Sequence, residues 1–139
     1  MAPTRHPPTF VGAIEIGIGV GDLEACTTFY QEVIGLEYLC EMRVEAASIR
    51  RFAHGDAVIK LWFDDEPCQL ANPPHGFAGG ATGLRYLAFQ VDDVSAVVAR
   101  CVAAGVEIPR PLAEFRPGVP YAVVADPEGN WIELTQRRS

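Results

Sequence analysis

Glu15 sits where a side chain could do chemistry. It belongs to the run Ile14-Glu15-Ile16-Gly17-Ile18-Gly19-Val20, in which the four branched aliphatic residues share one face and Glu15, Gly17 and Gly19 share the other. Glycine weakens a strand, so two glycines on one face with a carboxylate point to room left beside Glu15. A carboxylate facing such a space can act as a general base. Lys60 is the second such residue, the single polar side chain in Ala57-Val58-Ile59-Lys60-Leu61-Trp62-Phe63. An ammonium there can hold a carboxylate or stabilise an enolate. The cysteines promise less. Cys26, Cys40, Cys68 and Cys101 are spaced by 14, 28 and 33 residues with no C-x-x-C, so a zinc knuckle or thioredoxin-type motif has no support.

These residues need elements to position them. Strict alternation over residues 14–20 predicts a strand. Asp22 fits an N-cap, because its carboxylate can accept from the free amides of a first helical turn. Cys26, Phe29, Tyr30 and Val33 then follow at i, i+3, i+4 and i+7, one apolar helix face. Gly35 supplies a left-handed stop, so a helix is expected over about 23–34. Three strands are expected next, over about 36–44, 47–54 and 57–63.

Residues 64–83 are rich in proline and glycine and open on Asp64-Asp65-Glu66, read as solvated surface. Structureless stretches of this length are uncommon inside a small domain, so this one reads as a linker between two halves. The pattern then restarts. Leu84 to Val91 is a strand, Asp92 or Asp93 caps a helix with Val94, Val97, Val98 and Cys101 on its apolar face, and Gly105 ends it. Tyr121 to Ala125 is a strand, Asp126-Pro127-Glu128-Gly129 fits a type I turn, and Trp131 to Thr135 is the last strand. Cys26 and Cys101 fall on helix faces as ordinary core residues.

The two halves overlay. Val20-Gly21-Asp22-Leu23-Glu24-Ala25 matches Val91-Asp92-Asp93-Val94-Ser95-Ala96, Gly35-Leu36-Glu37 matches Gly105-Val106-Glu107, and Ile59-Lys60-Leu61 matches Ile132-Glu133-Leu134, at offsets of 71, 70 and 73. This is a duplicated strand–helix–three-strand unit. The helix of each unit should cover one face of its sheet, leaving the other to line a cavity. The expected organisation is a flexible tail over residues 1–12 and a single domain over 13–136, with module one at about 13–63, a linker at about 64–83 and module two at about 84–136.

Composition sets the limits. The 139 residues suit one domain. Hydrophobic residues at 49% and charged residues at 21% describe a globular chain. Eleven Lys+Arg against eighteen Asp+Glu give a net charge of −7, with basic pairs only at Arg50-Arg51 and Arg137-Arg138. A nucleic-acid partner is therefore not expected. No apolar run reaches the length of a membrane span, and the first ten residues lack the apolar region of a secretory signal. A cytoplasmic location with reduced thiols is the expectation.

Three segments together carry a resemblance: Val20-Gly21-Asp22-Leu23 followed by Phe29-Tyr30 and Ile34-Gly35-Leu36; Val91-Asp92-Asp93-Val94 with Ala104-Gly105-Val106; and Asp126-Pro127-Glu128-Gly129-Asn130-Trp131-Ile132-Glu133-Leu134. In order and duplication they resemble the vicinal oxygen chelate superfamily, which includes glyoxalase I, extradiol dioxygenases, methylmalonyl-CoA epimerase and bleomycin-resistance proteins. The resemblance implies an α+β fold of two tandem βαβββ modules. Their curved sheets enclose a cavity, often completed by a second chain, so a homodimer is expected. Metal-dependent members carry His, Glu or Gln at four positions, on the first and last strand of each module. Here those positions fall on Glu15, Lys60, Tyr86 and Glu133.

That quartet departs from a metal set. An ammonium has no lone pair and repels a divalent cation, and a protonated phenol is a poor ligand. Of the histidines, His6 is in the tail, His54 precedes a turn and His75 is in the linker. No cofactor is expected; the alternative is a divalent metal on Glu15 and Glu133, which two carboxylates and water could hold weakly. Two readings of the quartet stay open. Lys60 can pair with Glu15 and Glu133 simply to satisfy buried charge. Alternatively the cluster meets a ligand, with Glu15 or Glu133 as base, Lys60 as anion stabiliser and Tyr86 as proton donor.

Val58, Trp62, Leu84, Ala88, Gln90 and Trp131 share strand parity with the quartet. The two tryptophans suggest an aromatic or conjugated ligand. Glu114 to Pro120 reads as a loop over the pocket, bringing Phe115 and Arg116 to the ligand. Arg51 and Arg85 read as solvated arginines, with reach to an anionic ligand as the alternative. The expected function is handling of a small hydrophobic or aromatic molecule, either by sequestration as in bleomycin-resistance proteins or by proton-transfer chemistry such as isomerisation, epimerisation, cyclisation or lyase action. A metal-dependent lyase or dioxygenase is the alternative.

Overall fold

Alternation along the strands decides which face of each sheet is covered. In the computed structural model, which describes residues 8–66, 68–73, 76–77 and 80–136, strand β1 (Glu15–Gly19) is followed by helix α1 (Leu23–Thr28). The helix runs on as a π-helix over Phe29–Ile34. Strands β2 (Glu37–Val44), β3 (Ala47–His54) and β4 (Ala57–Asp64) complete the first module. The second repeats it with β5 (Tyr86–Val91), α2 (Val94–Ala103), β6 (Arg110–Arg116), β7 (Val119–Ala125) and β8 (Trp131–Gln136). The sheets run β1-β4-β3-β2 and β5-β8-β7-β6. In each, the first strand is parallel to the last and the other pairs are antiparallel. The duplicated α+β architecture expected from the sequence is the one observed.

Both helices lie against a shared core. Phe52, Ile59 and Leu61 of the first sheet and Phe89, Ile132 and Leu134 of the second bury with Cys26, Phe29, Tyr30, Val33, Val94, Val97 and Cys101. Burial of this apolar surface is the main stabilising term. Asp22 and Asp93 cap the helices by accepting from Ala25 N and Ala96 N at 3.0 Å. Gly35, at φ 91°, closes the first helix. The π segment was not expected; the Thr27 hydroxyl donates to the Leu23 carbonyl at 2.6 Å, a local bond that competes with the helical ladder.

Three expectations need correction. Ile14 lies outside β1 and is 73% exposed, because its partner strand begins pairing at Val58 opposite Glu15. Leu84 likewise precedes β5 and is exposed. Glu114 to Pro120 is not a loop: Glu114, Phe115 and Arg116 end β6, and β7 begins at Val119. β6 is an edge strand paired only with β7 and exposed along its whole length. It therefore needs no alternating pattern and tolerates Pro111.

Candidate functional site

Register assembles the site. Gly17 lies opposite Lys60, and Lys60 opposite Arg51. Gly19 lies opposite Trp62, and Trp62 opposite Ile49. Opposed residues share a face, and this face is the one turned away from the helical core. A Cβ built on Gly17 or Gly19 would meet nothing within 4 Å, so the clear space beside Glu15 is present.

On that face Arg51 Nη2 donates to Glu15 Oε1 at 2.8 Å, and Lys60 Nζ stands 3.5 Å from Glu15 Oε2. The Arg51 hydrogen bond, and after it the charge of Lys60, hold the Glu15 carboxyl below its usual range. Trp62 donates its indole N–H to Asp64 Oδ1 at 2.8 Å and is 38% exposed. The acidic run after β4 is thus partly engaged, since Asp65 also forms a two-pronged bond with Arg43 at 2.7 and 2.6 Å.

A cavity of about 300 Å³ lies where β1 meets β5, walled by Gly17, Gly19, Arg85, Tyr86 and Trp131. Phe77 of the linker packs edge-on against Tyr86 at 5.1 Å and against Trp131 at 5.4 Å. Asn72 and Thr82 also reach the wall. Asn72 donates to the Glu128 carbonyl at 2.9 Å and to Asn130 Oδ1 at 3.0 Å, which ties the linker to the turn of module two.

The candidate residues therefore divide. Tyr86 and Trp131 line the cavity; Glu15, Lys60 and Trp62 lie beside its glycine wall, with Val58 opposite Glu15. Glu133 sits on β8 opposite Ala88 and Val123. Among the described residues it forms no ion pair, so the expected Lys60–Glu133 contact is not made: the two belong to different sheets. Gln90 lines a separate hollow of about 600 Å³ with His54 and Asp92. Phe115 is 74% exposed and faces Tyr121 ring to ring at 6.1 Å; neither it nor Arg116 lines either of these two cavities. His54 stacks on Phe89 at 4.5 Å, while His6 and His75 lie outside the described residues.

Arg51 and Arg85, whose sequence context favours solvation over an anion contact, stand at the site, as does Phe77, which no sequence pattern marks. Arg50 and Arg51 alternate across β3: Arg50 turns to the helix side, bonding Glu24 at 2.9 Å and Glu41 at 3.1 Å, which sends Arg51 to the open face. That alternation was readable, but the register that sets Arg51 opposite Lys60 was not. Phe77 has no periodic signal, because it meets the cavity from outside any strand.

The donor set does not suit a divalent cation. Glu15 is already contacted by a guanidinium and an ammonium, and Glu133 stands on the other sheet. Among the described residues, no three His, Cys, Asp or Glu side chains gather to hold an ion.

Paired βαβββ modules with a cavity at their junction define a class of protein. The sequence profile of the Glyoxalase/Bleomycin resistance protein/Dioxygenase superfamily matches residues 12–134, and the chain belongs to that superfamily. A protein of Vibrio parahaemolyticus named a probable lactoylglutathione lyase is 31% identical over 126 residues, 86% of each chain. The uncharacterised protein YwbC of Bacillus subtilis strain 168 is 28% identical over 128 residues, covering 87% of this chain and 94% of its own. A glyoxalase family protein from Bacillus cereus superposes with a TM-score of 0.82 at 19% identity, over 98% of this chain and all of its own; at that identity it shows the fold alone.

Proposed function

We propose that the chain binds a small organic molecule with an aromatic or apolar body at the β1–β5 junction, and that it does so without a metal. The observation that carries this reading is the Glu15 carboxylate bracketed by Arg51 and Lys60 next to a cavity walled by Tyr86 and Trp131. Aromatic walls favour a planar ligand through stacking. On a ligand with an acidic C–H, Glu15 is the base, Lys60 stabilises the enolate and Tyr86 returns a proton. On a ligand without one, the same site sequesters. A homodimer covering the open sheet faces and a cytoplasmic location belong to the same proposal; all four cysteines are free thiols.

The second reading is a metal-dependent lyase, favoured by the name of the Vibrio relative. One experiment separates them. Chelator-treated protein is titrated with planar aromatic acids, amides and amines by tryptophan fluorescence, and its mass is read by sedimentation. Micromolar to millimolar binding, unchanged by chelation, by added Ni²⁺ or Mn²⁺, and weakened in Tyr86→Ala, is expected, at twice the 15.1 kDa chain mass. Binding that vanishes on chelation and returns with Ni²⁺ overturns the metal-free reading.

A further inference from the structure

We infer that the ligand carries a carboxylate, and that Arg51 and Lys60 together hold it beside the glycine wall of the cavity. The inference rests on the ligand-binding reading above and specifies its chemistry.

Three observations carry it. The first is charge. Arg51 and Lys60 are register partners on β3 and β4, and both pair with the one carboxylate of Glu15. Two cations converge on this one carboxylate, and Asp64, the acid bonded to the Trp62 indole, makes no ion pair with either of them among the described residues.

The second is donor capacity. An ammonium has three N–H donors and a guanidinium five. Among the described residues Lys60 makes a single ion pair, at 3.5 Å. Arg51 spends Nη2 on Glu15 and turns Nη1 to Cys40 Sγ at 3.9 Å, a weak acceptor. Both side chains are about one-third exposed, at 29% and 32%, so a carboxylate can reach them without opening the fold.

The third is the platform. Trp62, two residues along β4 from Lys60, has its indole N–H fixed on Asp64. Met42 lies opposite Ile49, which lies opposite Trp62, and Trp62 and Met42 are both exposed. An apolar shelf therefore adjoins the positive patch. Gly17 and Gly19, the register neighbours of Lys60 and Trp62, leave the floor beside both clear. The juxtaposition fits an aromatic acid, its carboxylate on the two cations and its apolar body over Gly17 and Gly19, with the shelf on one side and the Tyr86–Trp131 wall on the other.

Matched probes test this. 3-Phenylpropionate and 3-phenylpropanamide share a ring and a chain and differ in charge. Calorimetric titration of the full chain should show the acid binding about tenfold or more tightly than the amide, the order of one charge-assisted hydrogen bond. Arg51→Gln should cut the acid-to-amide affinity ratio severalfold; Lys60→Gln reads the same ratio should Arg51→Gln fail to fold. Raising the salt should weaken the acid alone. Equal affinity for acid and amide would overturn the carboxylate inference and leave the aromatic-ligand reading standing. Failure of both probes and of the whole aromatic panel would overturn both.

Discussion

Glu15 shares its charge between two cations, and the consequence is electrostatic rather than structural. The three groups are open to water, where ion pairs contribute little to stability. The Arg51 hydrogen bond nonetheless pulls the folded carboxyl below the usual glutamate value of 4.5. A carboxyl depressed in the folded state stabilises the fold above its unfolded pKa, and that contribution is lost as pH falls through the folded value. Glu15→Gln should therefore flatten the acid limb: the parent's small advantage above about pH 5 should disappear by about pH 3, so urea midpoints over that range should fall less in the variant than in the parent. Parallel acid limbs would show that the Arg51–Glu15 bond is not formed in solution. Glu15 and Lys60 were legible as candidates because each breaks the apolar pattern of its own strand. Arg51 was not, because its partner depends on how β3 registers against β4, and no local pattern encodes that.

The element that shapes the site is β1. Its glycines have ordinary strand conformations, and a side chain there would meet open space. They are thus kept for clearance and not for backbone geometry. Gly17→Val should raise strand propensity, by up to about 1 kcal/mol, and place a branched side chain beside Lys60. The expected pair of outcomes has opposite signs: a melting temperature equal to or above that of the parent, and loss of aromatic-ligand binding. A variant that binds normally would move the ligand away from β1. Clearance over β1 could be anticipated from the alternation of Glu15, Gly17 and Gly19, while β6 could not. An edge strand with neither face buried leaves no periodicity to find, so Phe115 and Arg116 were assigned to a loop that does not exist.

At the scale of the molecule, the turn at Asp126–Asn130 joins the halves. Glu128 Oε1 accepts from Gly21 N at 2.7 Å and Asp22 N at 3.0 Å, at the start of α1. Arg100 of α2 donates to the Ile34 carbonyl at 2.8 Å. Tyr30 donates its hydroxyl to Asp126 Oδ2 at 2.6 Å, across 96 residues of sequence and within the core. The turn itself was legible as Asp-Pro-Glu-Gly, and so was the duplication that surrounds it. The use of its two carboxylates was not, because their partners lie in the other module and follow from packing alone. Burial, and then the charge of Asp126, push the Tyr30 phenol well above its usual value of 10.0. A group with a raised folded pKa gives its full stabilisation below the unfolded pKa and loses it as pH rises through the folded one. Tyr30→Phe leaves the 4%-exposed Asp126 one donor short and should cost about 2 kcal/mol at neutral pH, a fall on the order of 6 °C in melting temperature. Above about pH 10 the parent loses stability that the variant never had, so the two melting curves should converge there. A constant gap at every pH would mean that the phenol ionises as readily in the folded chain as in the unfolded one, and so is neither buried nor bonded to Asp126 in solution.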